Sequence, residues 1–283
     1  PLHVGFAYTK PLAVVGNILD KENGYLTLLS TATRRPIDIV EISCPGARDA
    51  MFNMDDSKIF TTCQQEPKGM AVIDVKSRKE IKMVPIKGGR AGGMDPQGKY
   101  FMVSASKSVH FFDSQTAELV KTIKVPGGGG NFTCLKDGSK CYVGLRKANA
   151  VGVIDMAKLE LMKTIETGPD ANRLYLNPVN SRYGLFANEA GKSDIVSIID
   201  TQLDVKVKDI WTGLGPHNVA FDPDGKFAVI STKKENVATL VDTGSADPND
   251  WDVITTDLDS GIQNNGVRWV PSPAALKKAL AQN

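Results

Sequence analysis

The chain has 283 residues, of which 41% are hydrophobic and 23% are charged, a composition typical of a folded protein rather than a disordered one. Its 34 basic and 32 acidic residues leave a net charge of +2, which argues against nucleic-acid binding through overall positive charge. The longest apolar runs fall far short of the roughly 20 residues that a membrane helix needs, so we expect no membrane insertion.

Four short strands are predicted at the amino terminus, and the same arrangement recurs along the chain. Residues 3–10 and 12–15 form the first two strands, and residues 25–30 and 37–42 form the next two. The chain contains six such repeats, which cover residues 3–43, 49–86, 90–125, 131–166, 171–210 and 217–257. In the last repeat the four strands are predicted at residues 218–221, 227–232, 237–241 and 252–256.

Two sequence markers share this period. The first is an apolar run ending in Asp, at Asp74, Asp113, Asp155, Asp200 and Asp242, with spacings of 39, 42, 45 and 42 residues. The second is a tight turn ending in a basic residue, at Lys58, Lys99, Lys140, Arg182 and Lys226, with spacings of 41, 41, 42 and 44. Because the aspartates recur, we expect them to cap turns rather than to catalyse a reaction.

A unit of four strands repeated every 40 or so residues is typical of the blade of a β-propeller. One such sheet cannot bury both faces, whereas a ring of blades does. The predicted fold is therefore an all-β propeller in a single domain over residues 1–271, with a short C-terminal helix at residues 272–283. One extra strand is predicted at residues 266–270. It either completes a ring of six blades or begins a seventh that further residues or a partner would complete.

The turns and strand ends resemble those of the YVTN repeat group of β-propellers. The similar features are the turn at residues 222–226, the Val/Ile-Asp strand ends and the segment 215–220. The literal Tyr-Val-Thr-Asn string is absent, and residues 142–145 and 227–230 occupy its place. The resemblance covers essentially the whole chain. It implies kinship with surface-layer propellers and with the haem-binding propellers of nitrite reductases and their assembly proteins.

The four cysteines leave two alternatives open. Cys134 and Cys141 flank a predicted tight turn, and Cys44 and Cys63 lie on neighbouring strands. An even number of cysteines permits two disulfides in an oxidising compartment, and buried thiols are the alternative. We expect a periplasmic or extracellular protein.

In the propellers that the chain resembles, the loops before the first strand of each blade share one face with the loops between the second and third strands. On this sequence, basic residues outnumber acidic ones in those loops. The acids that oppose them are Asp49, Glu66, Asp170, Glu189 and Glu235. The candidate ligand-binding residues are Arg48, Arg90, Asn131, Asn172, Arg173 and His217 before first strands, with Arg146 and Lys233 in the second loops. Such a basic funnel would attract an anionic ligand, a carboxylate-bearing cofactor or an acidic partner protein.

His217 is the single strongest candidate because it follows the rigid pair Gly215-Pro216 at the mouth of the predicted channel. An imidazole there could ligate a metal or a haem iron, and haem is the candidate cofactor that the resemblance implies. His110 lies in a column of small residues and is expected to be a core histidine. The three histidines are too scattered to predict a metal cluster.

The sequence contains no nucleophile elbow, zinc-protease motif or calcium loop, so no catalytic residue is assigned. The first hypothesis is a non-enzymatic binding or scaffold propeller for a protein partner or a small anionic ligand. The alternative is a haem- or quinone-linked propeller of an electron-transfer complex. A lactonase-like hydrolase ranks last because such enzymes need acidic metal ligands in the channel, and the mapped entry positions are mostly basic or amide residues. Nucleic acid is disfavoured, since Phe132 is almost the only aromatic residue in the mapped loops.

Overall fold

The computed structural model describes residues 3–18 and 22–259 of the chain. These residues form 24 β-strands and two short 3₁₀ helices, at Arg146–Ala148 and Pro248–Asp250. The strands make six antiparallel four-stranded sheets, and each sheet takes its strands in chain order. The predicted all-β propeller with four-stranded blades is confirmed.

The first three blades follow the first three predicted repeats. Blade 1 contains β1 (Val4–Phe6), β2 (Leu12–Gly16), β3 (Gly24–Ser30) and β4 (Arg35–Ile42). Blade 2 contains β5 (Ala47–Phe52), β6 (Lys58–Cys63), β7 (Gly69–Asp74) and β8 (Lys79–Pro85). Blade 3 contains β9 (Ala91–Met94), β10 (Tyr100–Ser104), β11 (Ser108–Asp113) and β12 (Leu119–Lys124).

The last three blades follow the remaining repeats. Blade 4 contains β13 (Phe132–Cys134), β14 (Lys140–Leu145), β15 (Ala150–Asp155) and β16 (Glu160–Glu166). Blade 5 contains β17 (Ala171–Leu176), β18 (Tyr183–Asn188), β19 (Ile195–Asp200) and β20 (Val205–Trp211). Blade 6 contains β21 (Pro216–Phe221), β22 (Phe227–Thr232), β23 (Val237–Asp242) and β24 (Asp252–Asp259). The extra strand at 266–270 and the helix at 272–283 lie outside the described residues.

The chain divides into two compact units, Pro1–Leu174 and Tyr175–Asn283, and the division falls inside β17. The first unit holds blades 1 to 4, and the second holds blade 6 and the larger part of blade 5. The single domain over residues 1–271 stays a prediction.

In the first unit, the hydrophobic clusters join adjacent blades. The side chains of Val14 on β2 and Ile59 on β6 belong to one cluster and are fully buried. Phe60 of blade 2 stacks on Phe101 of blade 3, with ring centroids 5.1 Å apart. Apolar faces that one sheet would leave in water are thus covered by the next blade.

In the second unit, the core is organised around Trp251. Its ring meets those of Tyr183 and Phe221 edge-on, with centroids 6.0 and 6.5 Å away. Its indole N–H donates to the carbonyl of Ser245 at 2.9 Å, which satisfies the one polar group of a buried side chain. The residue directly before the fourth strand of blade 6 therefore joins blades 5 and 6.

The Asp-Pro-Asp-Gly turn of blade 6 forms as the sequence predicts. The N–H of Gly225 donates to the carbonyl of Asp222 at 3.0 Å, and Gly225 has a φ of +67°. The Asp222 carboxylate accepts the N–H groups of Lys226 and Phe227 at 2.7 and 2.8 Å. Glycine supplies the left-handed conformation, and aspartate caps the strand that follows.

The recurrent aspartates are confirmed as turn caps. Asp74, Asp113, Asp155, Asp200 and Asp242 each accept N–H bonds from residues two or three positions further along the chain. The Ser77 hydroxyl and N–H lower the pKa of the Asp74 carboxyl by stabilising its charged form. The repeated Asp therefore terminates the third strand of each of these blades.

Both disulfides are present in the structure. Cys134 and Cys141 are directly paired in the register of β13 with β14. Cys44, which follows β4, is bonded to Cys63 at the end of β6, so this bridge connects blade 1 to blade 2. Two disulfides in one chain indicate an oxidising location outside the cytoplasm.

No helix among the described residues has the length and apolar character that crossing a bilayer requires.

The carboxylate of Asp56 joins the first two blades through a set of backbone donors. It accepts the N–H groups of Tyr8, Thr9 and Lys10 at 2.8, 2.7 and 3.0 Å. It also accepts the Thr9 hydroxyl at 2.6 Å. Burial alone would raise the pKa of Asp56, but these hydrogen bonds outweigh it and lower the pKa.

We expect Asp56→Ala to lower the free energy of unfolding by roughly 2 kcal/mol or more, since hydrogen bonds to a charged group contribute about 1.5–3 kcal/mol each. The matched control is Asp55→Ala in the same turn, whose carboxylate caps Ser57 within the turn. Asp55→Ala should lower the free energy of unfolding by clearly less than Asp56→Ala does. Urea unfolding of both variants measures this, and equal losses would contradict the assigned role of Asp56.

Candidate functional site

Several of the predicted site residues meet at the starts of the innermost strands of the first unit. The backbone N–H of Asn131, directly before β13, donates to the carbonyl of Asn172 on β17 at 2.9 Å. The Asn131 side-chain amide donates to Asn172 Oδ1 at 3.1 Å. Arg48 on β5 donates from Nη2 to Asn131 Oδ1 at 3.1 Å across 83 residues of sequence. We call His3, Arg48, Asp49, Asn131 and Asn172 the inner cluster.

Asp49 is the buried acid of the inner cluster, with 1% of its side chain exposed. Its Oδ1 lies 2.8 Å from His3 Nδ1, and its Oδ2 accepts the Gly92 N–H at 2.9 Å. Burial alone would raise the pKa of this carboxyl, but the Arg48 charge, the His3 contact and the Gly92 N–H outweigh burial and lower the pKa. Both oxygens of Asp49 are therefore engaged in holding blades 1, 2 and 3 together.

The glycine run at residues 127–130 lets blade 4 reach this cluster. The N–H of Gly130 donates to the carbonyl of Gly144 at 3.0 Å, and a Cβ on Gly130 would lie only 2.5 Å from the Gly144 Cα. No other residue fits such a close approach of two backbones. Gly129 has a φ of +91°. The run is thus a connection between blades, as its sequence position predicts.

Arg90 and Arg146 are placed beside the inner cluster by different contacts. The Arg90 guanidinium donates to the carbonyl of Gly129 at 3.0 Å, and the Arg90 carbonyl accepts from Arg48 at 3.4 Å. Arg146 forms an ion pair with Asp170 in the same unit. The structure therefore links Arg90 directly to the inner cluster, whereas Arg146 is held at a neighbouring carboxylate.

A cavity of about 320 Å³ lies against the inner cluster. Its polar lining includes His3, Asp49, Asn131 and Arg173, and its apolar lining includes Met51, Met94 and Phe132. The volume is at the lower end of the range typical of ligand sites. Of the predicted site residues, Asn131 and Arg173 contribute to its walls.

The sequence analysis missed two of the residues that line the cavity of the first unit. The mapping took only the residues at the entry to each first strand and therefore left out Met51 and Met94, which line the cavity two positions beyond Asp49 and Gly92. Met51 lies three positions beyond Arg48 and Met94 four positions beyond Arg90, so extending the mapping four residues along each first strand would have found both. Phe132 lies in the cavity wall and is only 7% exposed, so its ring is not an open platform for stacking a base.

The second unit brings His217 and Lys233 together on one buried glutamate. His217 Nε2 lies 3.0 Å from Glu189 Oε1, and Lys233 Nζ lies 3.5 Å from Glu189 Oε2. The Glu189 side chain is 5% exposed. His217 and Lys233 are thus neighbours, as the sequence predicts. Both contact Glu189, which the sequence analysis counted among the acids that oppose the basic residues.

His217 does not fit an axial haem ligand as the structure places it. Its Nε2 contacts Glu189, and its Nδ1 lies 3.1 Å from the side-chain amide of Asn218. Ligation of iron would replace one of these contacts, and at Nε2 it would leave the buried Glu189 with less compensation. Among residues 3–18 and 22–259, no group of three or more His, Cys, Asp or Glu side chains is arranged to hold a metal ion.

His110 is a structural histidine. Its Nε2 lies 2.9 Å from the Ser108 hydroxyl and its Nδ1 lies 3.0 Å from the Thr122 hydroxyl. Burial lowers the pKa of its imidazole. His110 is half-buried rather than in the core, and its ring is held by two hydroxyl groups.

No protein-family model matches the chain, and no curated protein matches it. Solved structures similar to it include hydrazine synthase from Kuenenia stuttgartiensis, with a TM-score of 0.71 and 16% identity over 97% of this chain and 90% of that one. The β-propeller domain of Cps50 (Swd1) from Myceliophteria thermophila has a TM-score of 0.68 and 14% identity over 95% and 89% of the two chains. A functionally unknown protein from Desulfotomaculum acetoxidans has a TM-score of 0.65 and 14% identity over 83% and 78%.

At these identities the similarities establish the β-propeller fold alone. Membership of the YVTN repeat group stays a prediction from the sequence.

Proposed function

We propose that the chain is a non-enzymatic binding propeller of the periplasm or the cell exterior, which binds an anionic ligand or an acidic partner protein beside the inner cluster. The observation that carries this proposal is a local excess of positive charge. The Arg48 guanidinium donates to the backbone carbonyl of Arg90, and Arg173 lines the adjoining cavity. Arg48 lies 3.4 Å from Asp49 and balances its negative charge, so Arg90 and Arg173 supply the positive charge beside the cavity.

Partial burial strengthens the effect of these charges. Arg48 is 7% exposed, and Arg90 and Arg173 are half-buried, so their charges act through a medium less polarisable than water. A concave wall with charge of one sign attracts ligands of the opposite sign and increases their rate of binding. Neither redox chemistry nor hydrolysis is needed to explain this arrangement.

The proposed location rests on the disulfides. Cys44, Cys63 and Cys141 are fully buried, so a folded protein would protect these bonds once an oxidising compartment had formed them.

Calorimetric titration with citrate, with phenylacetate and with a poly-glutamate peptide tests the proposed function. We expect at least one probe to bind, with affinity that falls as salt is added, because the attraction is electrostatic. The double variant Arg90→Gln/Arg173→Gln should weaken that binding by about tenfold or more. The control is Arg78→Gln, which removes a cation from the exposed pair with Asp38 on the outer strands. Absence of binding by all three probes, or an equal effect of the control, would refute the proposal.

A further inference from the structure

We propose that the cavity of the first unit binds a small amphipathic monocarboxylate, with the carboxylate beside Arg173 and Asn131 and an apolar body between Met51, Met94 and Phe132. This inference rests on the proposed function and specifies the ligand class of the same site.

The cavity is polar at one end and apolar at the other because of how the innermost strands align. The Gly92 N–H donates to Asp49 Oδ2 at 2.9 Å, which places the starts of β5 and β9 at the same level. Met51 and Met94 follow these residues by two positions, and two residues of a strand advance about 6.6 Å. The cavity therefore has a polar layer at the strand starts and an apolar layer one step further along the strands.

The charge of the polar layer selects an anion. Asp49 is the acid among the lining residues, and Arg173 is their permanent cation. Both Asp49 oxygens are engaged, by His3 and by the Gly92 N–H, so the carboxylate is committed to the protein's own donors. A ligand cation would have to compete with these donors, whereas a ligand carboxylate would meet the Arg173 charge and the amide of Asn131.

The apolar layer selects a hydrocarbon body. Met51, Met94 and Phe132 supply two flexible thioethers and one ring, and methionine side chains adapt to irregular ligands. Pro96 lines the same cavity and is exposed, so the apolar end is continuous with the surface. An aromatic or branched aliphatic group would remove this apolar wall from water.

The size of the cavity limits the ligand to a small molecule. A volume of about 320 Å³ corresponds to about ten water molecules at roughly 30 Å³ each. Inorganic phosphate would leave the apolar layer in contact with water. A polyanion such as citrate would bring more negative charge than one lining guanidinium balances. An amphipathic monocarboxylate satisfies both layers at once.

Calorimetric titration with phenylacetate, its neutral isostere phenylacetamide and inorganic phosphate tests the ligand class. We expect phenylacetate to bind about tenfold or more tightly than either of the others, because only the carboxylate gains a charge-assisted contact and only the phenyl group fills the apolar layer. Arg173→Gln should remove the preference for phenylacetate over phenylacetamide. Met94→Gln should weaken phenylacetate binding while the preference over phenylacetamide remains. Arg78→Gln is the control and should change neither.

The outcomes separate this inference from the proposed function. Equal binding of phenylacetate and phenylacetamide, or a preference that survives in Arg173→Gln, would overturn the ligand class. If citrate or poly-glutamate bound and phenylacetate did not, the ligand class would also be overturned, but the proposed function would still hold. Absence of binding by every anion would refute both. Thermal unfolding of each variant establishes that the protein titrated is folded, and crystals soaked with phenylacetate would locate the ligand if Arg173→Gln did not fold.

Discussion

Replacing Asp49 by alanine is expected to lower the free energy of unfolding by about 3–5 kcal/mol, the usual cost of removing one partner from a buried ion pair. The carboxylate is 1% exposed and the Arg48 side chain beside it is 8% exposed. Without Asp49, the Arg48 charge loses its nearby counter-ion and the Gly92 N–H loses its acceptor. Urea unfolding of the variant and the unmodified protein measures the difference.

The matched control removes an acid from an exposed pair. Asp38 lies 3.1 Å from Arg78, and these side chains are 40% and 45% exposed. Asp38→Ala should therefore cost less than about 1 kcal/mol, because water screens the pair and replaces its contacts. If Asp49→Ala cost no more than this control, the inner cluster would not be the anchor between blades that its hydrogen bonds indicate.

The same carboxylate gives stability a defined dependence on pH. The pKa of Asp49 in the folded protein lies below its ordinary value of 3.8, although burial opposes this, because the Arg48 charge and the donors His3 and Gly92 favour the ionised form. The unfolded chain therefore takes up this proton first as acid is added. The stabilisation from Asp49 is fully present above pH 3.8 and is lost as pH falls through the folded pKa. In Asp49→Asn, the free energy of unfolding should therefore fall less steeply than in the unmodified protein as the pH is lowered into the acid range.

The second large effect is expected at the bridge between blades 1 and 2. Cys44→Ala/Cys63→Ala should lower the free energy of unfolding by about 3 kcal/mol, because the disulfide closes a loop of 19 residues in the unfolded chain. Both cysteines are fully buried, so the smaller alanines add the cost of a void. Urea unfolding of the double variant measures the loss.

The second disulfide is the matched comparison. Cys134 and Cys141 are 7 residues apart, and the same relation gives about 2.4 kcal/mol for this shorter loop. Cys134→Ala/Cys141→Ala should therefore be the less destabilised of the two double variants. The opposite order would mean that constraint of the unfolded chain is not what these bridges contribute.

Much of the fold followed from local chemistry. The strand β22 covers the residues predicted for it, 227–232, because an apolar β-branched run follows a turn that Gly225 closes. The end of β24 was predicted at Thr256 but lies at Asp259. This outer strand goes on pairing with β23, since Val237 lies opposite Asp259. Strand length depends on the partner strand as well as on the strand's own residues.

The candidate site was predicted as a set of residues but not as an arrangement. Arg48, Arg90, Asn131 and Asn172 were all named from the repeat, and the structure connects them. The sequence placed Asp49 and Glu189 among the opposing charges and could not show that each is buried against a basic group. Burial and pairing depend on neighbouring blades, which the repeat pattern does not describe.

The amino-acid sequence by itself determined the repeat, the four-stranded blades and their turns. Periodic apolar residues specify strands, and Gly and Asp specify turns, through interactions between residues only a few positions apart. Only the tertiary structure decided that the two candidate cysteine pairs are disulfides and which charges neutralise each other. It also decided where a cavity remains. The bond from Arg48 to Asn131 spans 83 residues, and the contact of His3 with Asp49 joins two blades. Such pairs form only after neighbouring blades pack, because the packed interior is less polarisable than water and makes each buried charge depend on its nearest partner.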